Sequence, residues 1–331
     1  MEFSVLIPVR DAAETLPTAL RSVVRQTDER WECVVVDDGS RDATAGVVRG
    51  FAATDSRIRL IEAPRTGLVP ALNAGLDACR GRIVVRLDAD DWMHRRRLEE
   101  QGRRLLGRPQ LSALGTHVRC FPRRRLGEGM RAYERWINHL GDERAVRRDA
   151  FIECPIAHPT LAIRRDCLAG YRYRDEGWPE DWDLILRLLE DGRRVGVLPR
   201  RRVAWRRGPD NLSQCDPRYS VAAFTRCRAH FLARSFLSAP TYLLWGYGAT
   251  GRALRAALAE EGREPAGIVE LHPGRIGNRI HGAPVFPPQE LPRHAGPPIV
   301  ASVAGQANRT LVRRALAAMG FTELVDFVCA A

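Results

Sequence analysis

Lysine is absent, so all 52 basic side chains of this 331-residue chain are arginine. Against 40 acidic residues they leave a formal net charge of +12, with arginine clusters at 95–97, 123–125, 200–202 and 206–207. Such patches suit nucleic acid, phosphorylated substrates or an anionic membrane surface. No nucleic-acid-binding motif accompanies them, so nucleic acid is not an expected partner, and most of the clusters read as solvated surface. The exchange of lysine for arginine also fits a compositional bias of the genome. Paired cysteines are missing too: the 8 cysteines are scattered, with no Cys-x-x-Cys. That argues against a zinc site and a disulfide framework, and for a reducing cytoplasm. There is no uninterrupted apolar run long enough to span a bilayer, since the best stretch, 231–245, is broken by Arg234 and Pro240. The first residues carry Glu2 and no basic segment, and read as a strand rather than a signal peptide. Finally, no glycine-rich loop follows that strand, which disfavours a P-loop or dinucleotide fold for this half of the chain.

What is present begins with alternation. Apolar strands are expected at 3–8, 31–36, 58–61 and 83–88, and helices at 14–26, 44–53 and 68–78; further along, a helix is expected at 184–190 and a strand at 202–205. Strands apolar along their length, alternating with helices, predict an α/β fold with a mainly parallel sheet covered on both faces. Ligands in such sheets bind beyond the carboxyl ends of the strands. Three motifs fall there: Pro8-Val9-Arg10-Asp11, Asp37-Asp38-Gly39-Ser40 and Asp88-Ala89-Asp90-Asp91. Asp37 or Asp38 could accept hydrogen bonds from a base or ribose. Asp88, Asp90 and Asp91, crowded at one strand end, raise each other's pKa. A divalent cation offsets that repulsion, and carboxylate oxygens are the hard ligands that Mg²⁺ and Mn²⁺ prefer.

Together Pro8-Val9, Asp37-Asp38-Gly39-Ser40, Asn73-x-Gly75, Arg86-x-Asp88-Ala89-Asp90-Asp91 and Glu180-Asp181-Trp182-Asp183 resemble the inverting family 2 glycosyltransferases of GT-A fold. The resemblance covers roughly residues 1–213. It implies a nucleotide-sugar site at Pro8, Val9, Asp11, Asp37, Asp38, Asn73, Arg86, Asp88, Ala89 and Asp90, with Asp88 and Asp90 holding Mn²⁺ or Mg²⁺. It makes Asp181 the catalytic base, although an Asp near a helix N-terminus is also a natural cap. His158, before Pro159-Thr160, falls where the family has an acceptor-side His-Pro segment; a structural histidine explains it equally. Glu180, Trp178 and Trp182 would flank the acceptor, or the tryptophans belong to the core. Where many relatives carry a histidine two residues after an aromatic-Arg pair, this chain has Gly208 after Trp205-Arg206.

The expected domains are 1–238, the GT-A unit, and 239–331, a small Rossmann-like α/β unit. The latter rests on a strand at 241–245, then Gly246-Tyr247-Gly248-Ala249-Thr250-Gly251, a helix, and a strand ending before Glu270. Gly246, Gly248, Gly251 and Glu270 would then meet NAD(P) or another nucleotide. A regulatory or oligomerisation role, or a fold that binds nothing, fits the same residues. The expected activity is metal-assisted, inverting transfer from a nucleotide diphosphate sugar, with UDP the family's commonest base, to a saccharide or lipid-linked acceptor. Contact with the inner membrane face and homo-oligomerisation are further expectations. The alternatives are a degenerate nucleotide-sugar-binding protein and a bifunctional enzyme with NAD(P)-dependent sugar chemistry.

Overall fold

The computed structural model describes residues 1–209, 211–294 and 296–331. Contacts divide the chain into two compact units. The first comprises residues 1–146, 155–176 and 180–214, and the second 147–154, 177–179 and 215–331.

The first unit opens with β1 (Phe3–Val9), α1 (Leu16–Val24), β2 (Trp31–Asp38), α2 (Thr44–Thr54), β3 (Ile58–Ala63), α3 (Leu68–Ala78) and β4 (Ile83–Arg86). Then follow β5 (Trp92–Met93), α4 (Arg97–Leu106), β6 (Leu111–Phe121), α5 (Glu128–Ile137), α6 (Glu143–Asp149), β7 (Ala162–Arg164), α7 (Arg165–Leu168), α8 (Glu180–Glu190), β8 (Arg194–Arg206) and α9 (Leu212–Cys215). The expected α/β alternation is realised. Every residue of β1, β2 and β4 is buried, as strands covered on both faces require. α1 buries Leu16, Ala19, Leu20 and Val23, a single helical stripe, and accommodates Pro17 in its first turn.

The eight strands run in the order β3-β2-β1-β4-β7-β6-β8-β5. β3, β2, β1 and β4 are parallel, β7 is antiparallel to β4 and β6, and β5 is antiparallel to β8. β1 therefore has β2 on one side and β4 on the other, so the chain reverses its direction of travel across the sheet at β1. The crevice beyond this reversal is where open α/β sheets place their ligands. The core beneath it joins Phe3, Val5, Ile7, Leu20, Trp31, Val35, Ile83, Val85 and Leu98, all at most 0% exposed.

Two expected elements differ in extent. The strand expected at 202–205 is the end of the 13-residue β8. Its middle carries exposed arginines, which hide the strand pattern from a reading by hydrophobicity. The helix expected at 184–190 starts at Glu180, so Asp181 lies within its first turn.

The second unit contains α10 (Val221–Ser235), β9 (Thr241–Trp245), α11 (Ala249–Glu260), β10 (Glu264–Val269), β11 (Arg279–Ile280), β12 (Ala283–Phe286), β13 (Ile299–Ala301), α12 (Gln306–Ala318) and β14 (Phe327–Cys329). Its sheet order is β11-β12-β10-β9-β13-β14, parallel from β12 to β14. Ala229, Leu232 and Leu237 share a core with Tyr242, Leu244, Leu254 and Val300. The expected division at 238/239 thus falls inside this unit, after α10. No helix among the described residues is long and apolar enough to cross a membrane. All eight cysteines are free thiols.

Candidate active site

At the carboxyl end of β1, Pro8 and Val9 pair with Val36 and Asp37 of β2. The turn that follows β2 needs Gly39 at φ +68°, a left-handed conformation that glycine adopts without strain. Asp37 accepts from Ser40 N at 2.9 Å within this turn. Ser40 Oγ in turn accepts from Asp11 N at 2.9 Å, and Asp11 Oδ1 accepts from Arg41 N at 2.7 Å, which fastens the β1 and β2 loops together. Asp38 is 4% exposed and accepts from Thr66 N at 2.7 Å and Gly67 N at 3.0 Å, with Arg10 Nη1 3.7 Å away. Both carboxylates expected at the nucleoside therefore also hold the loops that would frame it.

The end of β4 gathers the acidic cluster. Ligand oxygens of Asp88, Asp90 and Asp91 all lie within 4.8 Å of one another. Each has a different tether. Asp88 Oδ1 accepts from Arg86 Nη2 at 2.6 Å. Asp90 Oδ2 accepts from Asn211 Nδ2 at 3.1 Å, and its carbonyl accepts from Arg206 Nε at 2.9 Å. Asp91, 1% exposed, accepts from Arg206 N at 2.6 Å through Oδ1, while its Oδ2 is buried without a hydrogen-bond partner. Burial, then the neighbouring Asp88 charge, pushes Asp90 up to about 6. The same two causes raise Asp91 well above the carboxylate range. Crowded oxygens, one of them buried and unpartnered, fit a hard divalent cation. Asp91 thereby joins Asp88 and Asp90 as a candidate ligand. Ala89, 9% exposed, forms the turn between them.

Arg86 links this cluster to the rest of the site. It is 4% exposed. Burial works against its charge, but Asp88, Tyr173 and Glu180 together hold its pKa above the usual arginine value. Tyr173 is itself buried, which pushes its phenol pKa up, and it feels the charges of Arg86, Glu180, Asp181 and Asp88. Nothing in the local sequence marks Tyr173. Its place depends on Asn73, whose amide donates to Tyr173 O at 3.0 Å and accepts from Tyr173 N at 3.1 Å. Asn73, expected at the nucleotide sugar, acts here as a clamp across 100 residues of chain.

Beside Tyr173 the structure brings together His158, Glu180 and Asp181. His158 Nε2 is 2.9 Å from Tyr173 Oη, and Nδ1 is 3.5 Å from Glu180 Oε1. Asp181 is half-buried. Burial first and Glu180 second push its pKa up to about 6, while His158 draws it down. Asp183, by contrast, is 1% exposed and bound to Arg187 Nε at 2.6 Å, which fixes the helix that carries Asp181.

The two tryptophans, expected either at the acceptor or in the core, differ from each other. Trp182 is 0% exposed, so it has no face for a sugar and serves the core. Trp178 lies in the second unit, with its ring 5.3 Å from that of His230. Gly208 leaves no side chain at the position of the family histidine, and its N–H donates to Asn211 Oδ1. In the second unit Gly246 and Gly248 lie in the turn between β9 and α11, and Gly251 lies in the first turn of α11. Glu270 beside them already accepts from Leu271 N (2.8 Å), His272 N (3.3 Å), Tyr247 N (3.3 Å) and Arg275 Nη1 (2.9 Å). Those four donors occupy the lone pairs a ribose would need.

Residues 4–171 match the family described as "Glycosyl transferase family 2". EpsE of Bacillus subtilis is 30% identical over 195 residues, 57% of this chain and 67% of that protein. The O-antigen biosynthesis glycosyltransferase WbnJ of Escherichia coli is 27% identical over 249 residues, 72% of this chain and 90% of WbnJ. Two further relatives are matched over only 13% and 26% of their own length. Among solved structures, S. aureus TarS 1–349 in complex with UDP superimposes with a TM-score of 0.56 at 17% identity, covering 78% of this chain and 71% of that one. TarS 1–349 in complex with UDP-GlcNAc gives 0.55 at 18% identity with the same 78% coverage of this chain. At such identity the likeness establishes the GT-A fold.

Proposed function

The chain belongs to glycosyl transferase family 2, and from that premise we propose that it moves a sugar from a nucleotide diphosphate sugar to an acceptor hydroxyl, with inversion at the anomeric carbon. A UDP-sugar is the first donor to test, because TarS of the same fold is seen with UDP and UDP-GlcNAc. A saccharide or lipid-linked glycan is the acceptor class, in line with WbnJ's name. The observation that carries the proposal is the pairing of the acidic cluster with Asp181 around Arg86 and Tyr173. One group of carboxylates is built for charge, and one separate carboxylate is built for proton transfer.

Asp181, with its pKa raised to about 6, is ionised at neutral pH yet more basic than an ordinary carboxylate, which suits a general base. It accepts the proton of the acceptor hydroxyl as that oxygen bonds to the anomeric carbon and the nucleoside diphosphate leaves with the bonding electron pair. Glu180 is held against His158, so Asp181 acts without a second carboxylate as nucleophile, and a single displacement inverts. Asp88, Asp90 and Asp91 would hold Mn²⁺ or Mg²⁺, whose charge stabilises the leaving diphosphate. Arg86 keeps Asp88 in place.

The test is thermal stabilisation of the purified chain by UDP, GDP, dTDP and CMP, each with and without Mn²⁺. Ligand at about 100 times its Kd adds roughly 2.7 kcal/mol. A shift with one nucleotide that requires Mn²⁺ and disappears in Asp90→Ala supports the metal-assisted donor site. If no nucleotide gives a Mn²⁺-dependent increment of stabilisation that Asp90→Ala removes, the metal-assisted donor site is refuted.

A further inference from the structure

A second set of features lies at the carboxyl edge of the other sheet. β9 has β10 on one side and β13 on the other, so the strand order reverses at β9. Two helices begin there, α11 after β9 and α12 after β13. The residues at their N-termini are Gly248 and Gly305, and neither helix has a side-chain cap. The opening N–H groups of an α-helix have no intrahelical acceptor, and they carry the positive end of the helix dipole. The loop before α11 is built for close approach. Gly246 sits at φ +94°, and a Cβ on Gly251 would stand 2.1 Å from Gly246 O. Only glycine fits there, and the helix start is pressed against the end of β9.

An independent feature points into the same crevice. Ser302, one residue past β13, is 3% exposed, and its Oγ is buried with no hydrogen-bond partner. Its Cβ lies 3.9 Å from the Cβ position of Gly251, so the side chain stands against the first turn of α11. A buried hydroxyl without a partner costs free energy unless a ligand or water meets it. Arg275 Nη1, 3.0 Å from Tyr247 O and 2.9 Å from Glu270 Oε2, offsets the Glu270 carboxylate at this edge and ties the loop to it.

We propose that this crevice binds the phosphate groups of a diphosphate-bearing ligand, at a site separate from the transferase centre. The N–H groups opening α11 and the Ser302 hydroxyl donate to the phosphate oxygens. Glu270 shapes the loop through Tyr247 and Arg275 and does not read a ribose, which distinguishes this site from a dinucleotide fingerprint. No metal is required, because the donors are N–H and O–H groups.

The experiment uses the full chain carrying Asp90→Ala, in EDTA, so that the transferase site does not contribute. UDP, ADP, NAD and inorganic pyrophosphate are titrated by calorimetry. The proposal expects at least one to bind. Nucleotides binding more tightly than pyrophosphate identify a nucleotide ligand, and equal binding identifies the bare anion. Gly248→Asp is then added. A Cβ at Gly248 meets nothing within 4 Å, and its φ of −73° suits an N-cap aspartate. The carboxylate would occupy the helix N–H groups and repel phosphate, weakening binding by at least about tenfold while the fold persists. Ser302→Ala should weaken it to a smaller degree. No binding by any of the four ligands, or binding unchanged by Gly248→Asp, overturns the proposal, whatever becomes of the transferase reading.

Discussion

Replacing Asp181 by asparagine should remove activity and raise stability together. General-base catalysis contributes about 10²- to 10⁴-fold, so turnover should fall by that factor, with donor affinity unchanged. Stability moves the other way because of the raised pKa. The folded value of about 6 lies above that of an unfolded carboxylate, so the wild-type chain loses stability as pH rises between roughly 4 and 6. At pH 7 the whole penalty is present, on the order of 1–3 kcal/mol. Asparagine escapes it and can still satisfy a first-turn N–H, so the unfolding midpoint at pH 7 should rise by a few degrees. The wild-type rate should show an acid limb centred near pH 6. With a pKa of about 6, the base is about 90% ionised at pH 7 and about 10% at pH 5, so kcat/KM should fall roughly tenfold between them. Sugar transfer measured by nucleotide release, calorimetric donor binding and thermal unfolding of the two proteins decide the matter. Near wild-type turnover in the variant, or an acid limb centred near pH 4, would refute the assignment. A fall in both activity and melting temperature would make Asp181 a structural cap.

The neighbouring groups give further expectations. Glu180→Gln removes the second cause of the Asp181 shift, so the acid limb should move to lower pH while burial keeps it above an ordinary carboxylate; an unmoved limb would separate Glu180 from the base. Asn73→Ala leaves the Tyr173 N–H and carbonyl without their partner, and should cost about 1–3 kcal/mol of stability and lower turnover more than donor affinity. Chemical denaturation with parallel kinetics tests that; a loss of donor affinity alone would return Asn73 to the nucleotide. Arg187→Ala removes the ion pair of the buried Asp183 carboxylate and should lower stability by about 1–3 kcal/mol, readable as a shifted denaturation midpoint.

The sequence alone determined the layered α/β architecture. Strands such as β1, β2 and β4 are apolar along their whole length, and such runs are stable only between two layers of helix. It also determined that carboxylates collect beyond the strand ends, because strand termini are fixed by the local pattern. The tertiary structure decided what each carboxylate does. Asp91 and Asp90 look alike in sequence, yet pairing of Trp92 with Ala204 brings β8 and Asn211 to them from over 100 residues away, so Arg206 N holds one Asp91 oxygen and the other is left bare. Asn73 became a clamp because Tyr173 lies against it, a contact separated by 100 residues that no local period encodes. Trp182 and Trp178 flank the same acidic motif, but helix α8 turns the first into the core and leaves the second outside it. Periodicity tells which residues can be buried; only the assembled sheet decides which charges meet, and the energies of buried charges depend on those meetings.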